Sequence, residues 1–242
     1  MMSMAHKSPI ILAVDTSSLD TALEWVACTS KYISAYKLGL EFFLSFGGEG
    51  VRRIAEVSDA KLFLDLKLHD IPNTVAGASA AVAALTPAFV TVHASGGRAM
   101  ISAAVQAAPL SDITAVTILT SLDDDDVKEI GYGAGALPSA VNLAKLALEA
   151  GAKAIVCSPL EISAMRQNLG KNFAIITPGI RPADHSARDD QARTMTPREA
   201  IDAGATYLVI GRPITQHAIS GMQRMQDAAA KIVDDIYSGN SR

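Results

Sequence analysis

Eight short apolar runs rich in β-branched residues recur along this sequence, each separated from the next by a longer stretch of different pattern. They are IILAVD (10–15), AYKLG (35–39), KLFLDLK (61–67), FVTVHA (89–94), ITAVTILT (113–120), AIVCSP (154–159), FAIITPGI (173–180) and TYLVIGRPI (206–214). Being continuous rather than alternating, they predict strands covered on both faces, which is the habit of parallel sheets. Parallel neighbours need crossover connections. Intervening segments such as LDTALEWVA, TVAGASAAVAALT, PSAVNLAKLALEA and MQRMQDAAAKIVDDI have the spacing of crossover helices. Ser18 or Asp20 suits the start of the first, and Gly151 suits a stop after Ala150. Eight such units in 242 residues allow about 30 residues each, the proportion of a (β/α)8 barrel. An open doubly wound sheet is the alternative, but it has fewer strands and a glycine-rich first turn. Here the first run leads into AVDTSSLD instead. The expected architecture is therefore α/β, a single-domain (β/α)8 TIM barrel over 10–238, preceded by a disordered tail over 1–9.

Charge narrows the class of partner. Lys and Arg total 21 against 25 Asp and Glu, a formal charge of −4 with no basic stripe. Nucleic acid and anionic membrane surfaces are thus not expected partners, and any bound anion is held by a few placed cations. Cys28 and Cys157 stand far apart and match no metal spacing, so neither a disulfide framework nor a zinc site is expected. MMSMAHKSP lacks the apolar run of a signal peptide, and no stretch of about 18 apolar residues occurs. A cytoplasmic, membrane-free protein is the expectation.

A barrel of this kind builds its site at the C-terminal ends of the strands. Those ends present Asp15, Lys37, Asp65 with Lys67, His93, Thr120, Pro178 with Gly179, and Gly211 with Arg212. Charges within apolar strands are costly unless paired, so Asp15, Lys37, Asp65 and Lys67 require one another or a charged ligand. In LDLKLHD (64–70), Asp65 and Lys67 are two apart and on a strand point to one side, with Asp70 following in the loop. A lysine between carboxylates is held as an ammonium, which suits proton donation to carbon or stabilisation of charge developing there. A purely structural ion-pair network is the plain alternative. TPGIRP (177–182) and VIGRPI (209–214) put Gly179, Arg181, Gly211 and Arg212 after strands seven and eight, where this fold binds phosphate. Between them ADHSARDDQARTMT (183–196) reads as a binding loop in which Gln191 is the amide candidate, a solvated loop being the other reading. Asp123–Asp126 read as the acidic opening of a helix, GGEG (47–50) as a helix interruption, and Met222 and Met225 as core-facing. His93 reads as a hydrogen-bonded strand-end histidine.

Taken together, AVD (13–15), YKLGLEFF (36–43), FLDLKLHDIPNTV (63–75), TILTS (117–121), TPGIRP and IGRPI (210–214) resemble the orotidine 5′-phosphate decarboxylase family over essentially the whole chain. That resemblance implies a cofactor-free homodimeric barrel that converts orotidine 5′-phosphate (OMP) to uridine 5′-phosphate (UMP) and CO2. It implies Lys67 as the acid that protonates C6, Asp65 facing the leaving carboxylate, Lys37 holding Asp65 and a ribose hydroxyl, and Asp15 on the ribose. Asp70, Ile71 and Thr74 would reach the partner subunit's site. Thr120 would meet the pyrimidine edge, with Pro178 beside the ligand, while Arg181, Gln191, Gly211 and Arg212 would hold the phosphate. Family members that stand free rather than fused to a phosphoribosyltransferase point to a bacterial cytoplasm. Two rivals remain: a Mg²⁺-dependent sugar-phosphate decarboxylase or aldolase of the same superfamily, and a catalytically silent nucleotide-binding barrel.

Overall fold

A computed structural model describes residues 8–182 and 194–238. Eight parallel strands close into a barrel in sequence order: β1 (Ile10–Ala13), β2 (Ala35–Gly39), β3 (Lys61–Leu68), β4 (Phe89–His93), β5 (Asp112–Val116), β6 (Ala154–Val156), β7 (Ala174–Thr177) and β8 (Tyr207–Ile210). All eight apolar runs thus become strands, several ending earlier than the runs because their last residues turn out into mouth loops. β8 pairs with β1, which closes the ring and leaves no sheet edge. Ser8 and Pro9 are buried, the Ile10 N–H donates to Ser8 Oγ at 3.2 Å, and the Leu208 N–H donates to the Pro9 carbonyl at 2.9 Å. Ser8 and Pro9, expected in the tail, are thus part of the packed barrel, and the rest of that expected tail lies outside the described residues.

The surrounding helices are α1 (Leu19–Thr29), α2 (Leu40–Ala55), α3 (Pro72–Ala83), α4 (Gly97–Ala107) and α5 (Asp124–Glu129). They continue as α6 (Ala136–Glu149), α7 (Ile162–Leu169), α8 (Pro197–Ala203), α9 (Arg212–Thr215) and α10 (Met222–Tyr237). Local chemistry sets their limits. Ser18 accepts the Thr21 N–H at the start of α1, and Asp123 with Asp126 forms a capping box on α5, as the acidic run suggested. α6 stops at Ala150 before Gly151, and α2 breaks at Gly47. Met225 is fully buried on α10 and Met222 packs against the core at its edge.

Two layers of apolar side chains result. The larger fills the space between strands and helices; the smaller, Ile11, Ala35, Phe63, Phe89, Ala154 and Ile176, fills the barrel interior. Phe63 and Phe89 meet edge-on at 5.6 Å between ring centres, and Phe89 meets Tyr207 at 5.5 Å, giving the interior an aromatic floor. Strand side chains alternate with a period of two, so the next inward positions above this floor are Ala13, Lys37, Asp65, Thr91, Val156 and Pro178. An apolar plug below and charged groups above is how this sequence aims its ionisable residues at the mouth.

Candidate active site

Lys37, Asp65 and Lys67 converge at the ends of β2 and β3. Asp65 carries 13% of its side-chain surface exposed and Lys37 12%, so neither charge is solvated as a free ion. Lys67 Nζ donates to Asp65 Oδ1 at 2.9 Å, and Lys37 Nζ lies 3.5 Å from Asp65 Oδ2 and 3.2 Å from Asp15 Oδ1. The result is a continuous alternation, Asp15–Lys37–Asp65–Lys67, across three strands. Burial pushes the Asp65 carboxyl up, but Lys37 and Lys67, with hydrogen bonds from Lys67 and Thr91, outweigh it and hold the group below the usual carboxylate range. Gly39 leaves room for this arrangement, because a Cβ there would stand 3.3 Å from Lys37 Nζ.

Lys67 reaches Asp65 by a different route from plain strand alternation. Leu64 and Leu68 of β3 pair with Val90 and Val92 of β4, so β3 advances four residues while β4 advances two. Within this bulge Lys67 adopts φ +49°, a left-handed conformation rare for a residue with a long side chain. Its N–H, turned out of the ladder, donates to Thr91 Oγ1 at 2.8 Å, and Thr91 Oγ1 donates to Asp65 Oδ1 at 3.0 Å. Strained backbone held by its surroundings is a common property of functional sites. Sequence reasoning passed over Thr91; the available signal was a lone hydroxyl in the otherwise apolar run FVTV.

Above the floor lies a cavity of about 290 Å³. Of the residues expected at the site, Asp15, Lys37, Asp65, Lys67, Thr120, Pro178, Gly179, Arg181, Gly211 and Arg212 all line it. Its charged lining comprises Lys37, Lys67, Arg181 and Arg212 against Asp15 and Asp65, net positive in a chain that is net negative. Such a concave site, with convergent cations over an apolar wall, fits a small polyanionic ligand. At its rim Gly179 has φ +78°, and the Met195 N–H donates to the Gly179 carbonyl at 3.2 Å. The Arg181 N–H donates to the Met195 carbonyl at 3.0 Å, so the chain leaving β7 is clasped to the chain that leads into α8. Gln191 lies outside the described residues. α9 begins directly at the cavity wall with Arg212.

The segment Asp70–Thr74 does not line this cavity. These residues are exposed at the entry to α3, where the Ile71 N–H donates to Asp70 Oδ1 at 2.6 Å and Ile71 is 65% exposed. His93 also stands apart. Its ring neighbours His69 at 5.5 Å, and among the described residues this contact, rather than the expected hydrogen bond, is what it makes. Burial, with His69 and Lys67 nearby, pushes its imidazole below the ordinary value, while Asp65 pulls the other way. Among the described residues no group of three or more His, Cys, Asp or Glu side chains is arranged to hold a metal ion, and no helix is long and apolar enough to cross a membrane.

Fold and cavity together define a (β/α)8-barrel protein whose strand-end loops form a charged small-molecule site. The chain belongs to the orotidine 5′-phosphate decarboxylase / HUMPS family, whose model matches residues 8–222. It is 50% identical over 209 residues to orotidine 5′-phosphate decarboxylase of Thermobifida fusca (strain YX), covering 86% of this chain and 89% of that one. The same-named protein of Novosphingobium aromaticivorans is 49% identical over 210 residues, covering 86% of this chain and 92% of its own. Among solved structures, orotidine 5′-phosphate decarboxylase from Lactobacillus acidophilus superposes with a TM-score of 0.82 at 32% identity, over 96% of this chain and 100% of that one.

Proposed function

We propose that this chain, a single catalytic domain, decarboxylates orotidine 5′-phosphate to UMP and CO2 in the cytoplasm. The observation that carries the reading is the alternating Asp15–Lys37–Asp65–Lys67 array, largely buried at its centre, Lys37 and Asp65, and sharing one cavity with the cations Arg181 and Arg212. In this reaction the bond from C6 to the carboxylate breaks, its electron pair stays on C6, and a proton from the Lys67 ammonium ends on that carbon. A carbanion at C6 has no resonance sink in the ring, so its charge must be met by a preorganised cation. Lys67 supplies one, its Nζ fixed 2.9 Å from Asp65 Oδ1. Asp65 in turn faces the departing carboxylate, a repulsion relieved as CO2 forms. Lys37 orients Asp65 and, with Asp15, takes the ribose hydroxyls; Thr120 meets the pyrimidine edge, with Pro178 beside the ligand. Arg181, Gly211, Arg212 and Gln191 take the phosphate, far from the reacting carbon, where binding energy orders the site.

The exposed Asp70, Ile71 and Thr74 fit a role across a homodimer interface, each copy completing its partner's site. A magnesium-dependent sugar-phosphate reaction is less well supported, because the Lys37 ammonium stands between Asp15 and Asp65 where a divalent ion would otherwise be attracted. The test is the loss of ultraviolet absorbance of orotidine 5′-phosphate with EDTA present, in wild type and Lys67→Ala. Rapid loss in the wild type and at least about a thousandfold slower loss in the variant (about 4 kcal/mol) is the expected result. Activity that returns only with magnesium would favour the sugar-phosphate reading, and tight UMP binding without CO2 release a silent barrel.

A further inference from the structure

We propose that Thr91 is a positioning residue, whose hydroxyl sets both the backbone bulge that presents Lys67 and the orientation of the Asp65 carboxylate. This rests on the decarboxylase reading above. Thr91 is fully buried on β4, one strand away from the two charges it serves, and lies outside the lining of the cavity. A threonine hydroxyl has one proton and two lone pairs. The Lys67 N–H donates to its oxygen at 2.8 Å, and an ionised carboxylate can only accept, so the proton is committed to Asp65 Oδ1 at 3.0 Å. One small group thereby couples main chain to side chain. It replaces the ladder acceptor that the bulge takes from Lys67 and locks the oxygen to which Lys67 Nζ also bonds at 2.9 Å.

Neighbouring buried threonines show that this is not a generic strand hydroxyl. Thr114 on β5 returns its proton to the Asp112 carbonyl of its own strand, and Thr177 on β7 bonds the Cys157 carbonyl. Only at Thr91, among these, does the hydroxyl bond a charged side chain of the cavity. Removing it strands the backbone donor of the left-handed Lys67 and takes away the one neutral hydrogen bond that orients Asp65, leaving it to the two lysines. The ammonium of Lys67 then loses its fixed placement, and errors of about 1 Å at a reacting atom cost turnover more than binding.

The experiment compares kcat and KM for orotidine 5′-phosphate in wild type, Thr91→Val, Thr91→Ser and Thr91→Cys, with thermal unfolding of each. Expected is a fall in kcat of about ten- to a hundredfold in Thr91→Val, the scale of a lost hydrogen bond to a charged group, with KM changed less than about threefold. Thr91→Ser, which keeps the hydroxyl, recovers most of that loss. Should the valine variant fail to fold, Thr91→Cys keeps the volume with a weak donor, and an intermediate kcat supports the proposal while wild-type kcat overturns it. Full kcat in folded Thr91→Val overturns it, as does equal loss in the serine and valine variants, which would mean that the methyl packing is what matters. An inactive wild type would instead overturn the decarboxylase reading, a result separable from an active wild type beside an active valine variant.

Discussion

Replacing Lys37 by methionine removes an ammonium from the centre of the charged array while keeping the length of its stem. At 3.5 Å from Asp65 Oδ2, that charge is worth about 5 kcal/mol at an effective dielectric of about 20. Desolvation of Lys37 offsets part of this, and Asp65 retains Lys67 at 2.9 Å and Thr91 at 3.0 Å. The net cost therefore sits at the lower end of the range for breaking a buried pair, about 3 kcal/mol near pH 8, or about 6–12 °C in Tm for a chain of this size. The cost depends on pH. In the wild type Asp65 titrates below its ordinary 3.8, so its contribution is complete above that value and is lost as pH falls through the lower folded one. Without Lys37 burial is less opposed, the folded value rises, and protonation relieves the strain, so the deficit narrows between about pH 8 and pH 4. Urea unfolding followed by the fluorescence of the single tryptophan, Trp25, measures it. The double variant Lys37→Met/Asp65→Asn carries no unpaired carboxylate at position 65, and Lys67, which loses its partner there, is about a third exposed to water, so most of the loss should be regained. A double variant no more stable than Lys37→Met, or a single variant as stable as wild type near pH 8, would refute the claim that an uncompensated Asp65 charge is the cause.

Three further outcomes are expected. Orotidine, which lacks the phosphate, should lose kcat as well as affinity, because Arg181 and Arg212 enter the cavity from the ends of β7 and β8, on other strands than Lys37, Asp65 and Lys67; equal kcat on both substrates in a steady-state assay would contradict this. Gly179→Ala forces a Cβ onto a backbone at φ +78° and should destabilise by about 1–2 kcal/mol in urea unfolding, an unchanged midpoint being the adverse result. His93 titrates below 6.5 in the folded chain, so the stability it contributes is complete above that pH and declines as pH falls toward its folded value. Thermal unfolding of His93→Gln should accordingly show a flatter decline from about pH 6.5 to pH 5 than wild type; parallel curves would show that His93 is not the titrating group.

Much of the barrel was legible because its strands are buried on both faces and leave continuous apolar runs, against which Asp15, Lys37, Asp65 and Lys67 stand out. The residues expected to hold phosphate were legible as cavity lining for a different reason: Gly179, Arg181, Gly211 and Arg212 follow the last two strands, and their position in the order decides where they sit. The β3 bulge was not legible. Nothing in LDLKLHD marks the step at which β3 gains residues on β4, since the acceptor that makes it possible, Thr91, is supplied 24 positions away. Thr91 itself looked like an ordinary β-branched strand former. Its role exists only in the contact between strands. His93 was misjudged for the same reason, its neighbour His69 being brought to it by the fold.

Phe63, Phe89 and Tyr207 stop the barrel from below, which makes the site a blind cup with a single rim. Whatever enters, leaves or resupplies this cup passes the same opening. In the proposed reaction every turnover draws one proton from Lys67, and the solvent that restores it arrives from the rim, where the nucleotide product sits until it departs. On that proposal, traffic through one opening would order the cycle: the cup would empty first, the lysine recharge second, and only then would the next substrate meet a proton donor.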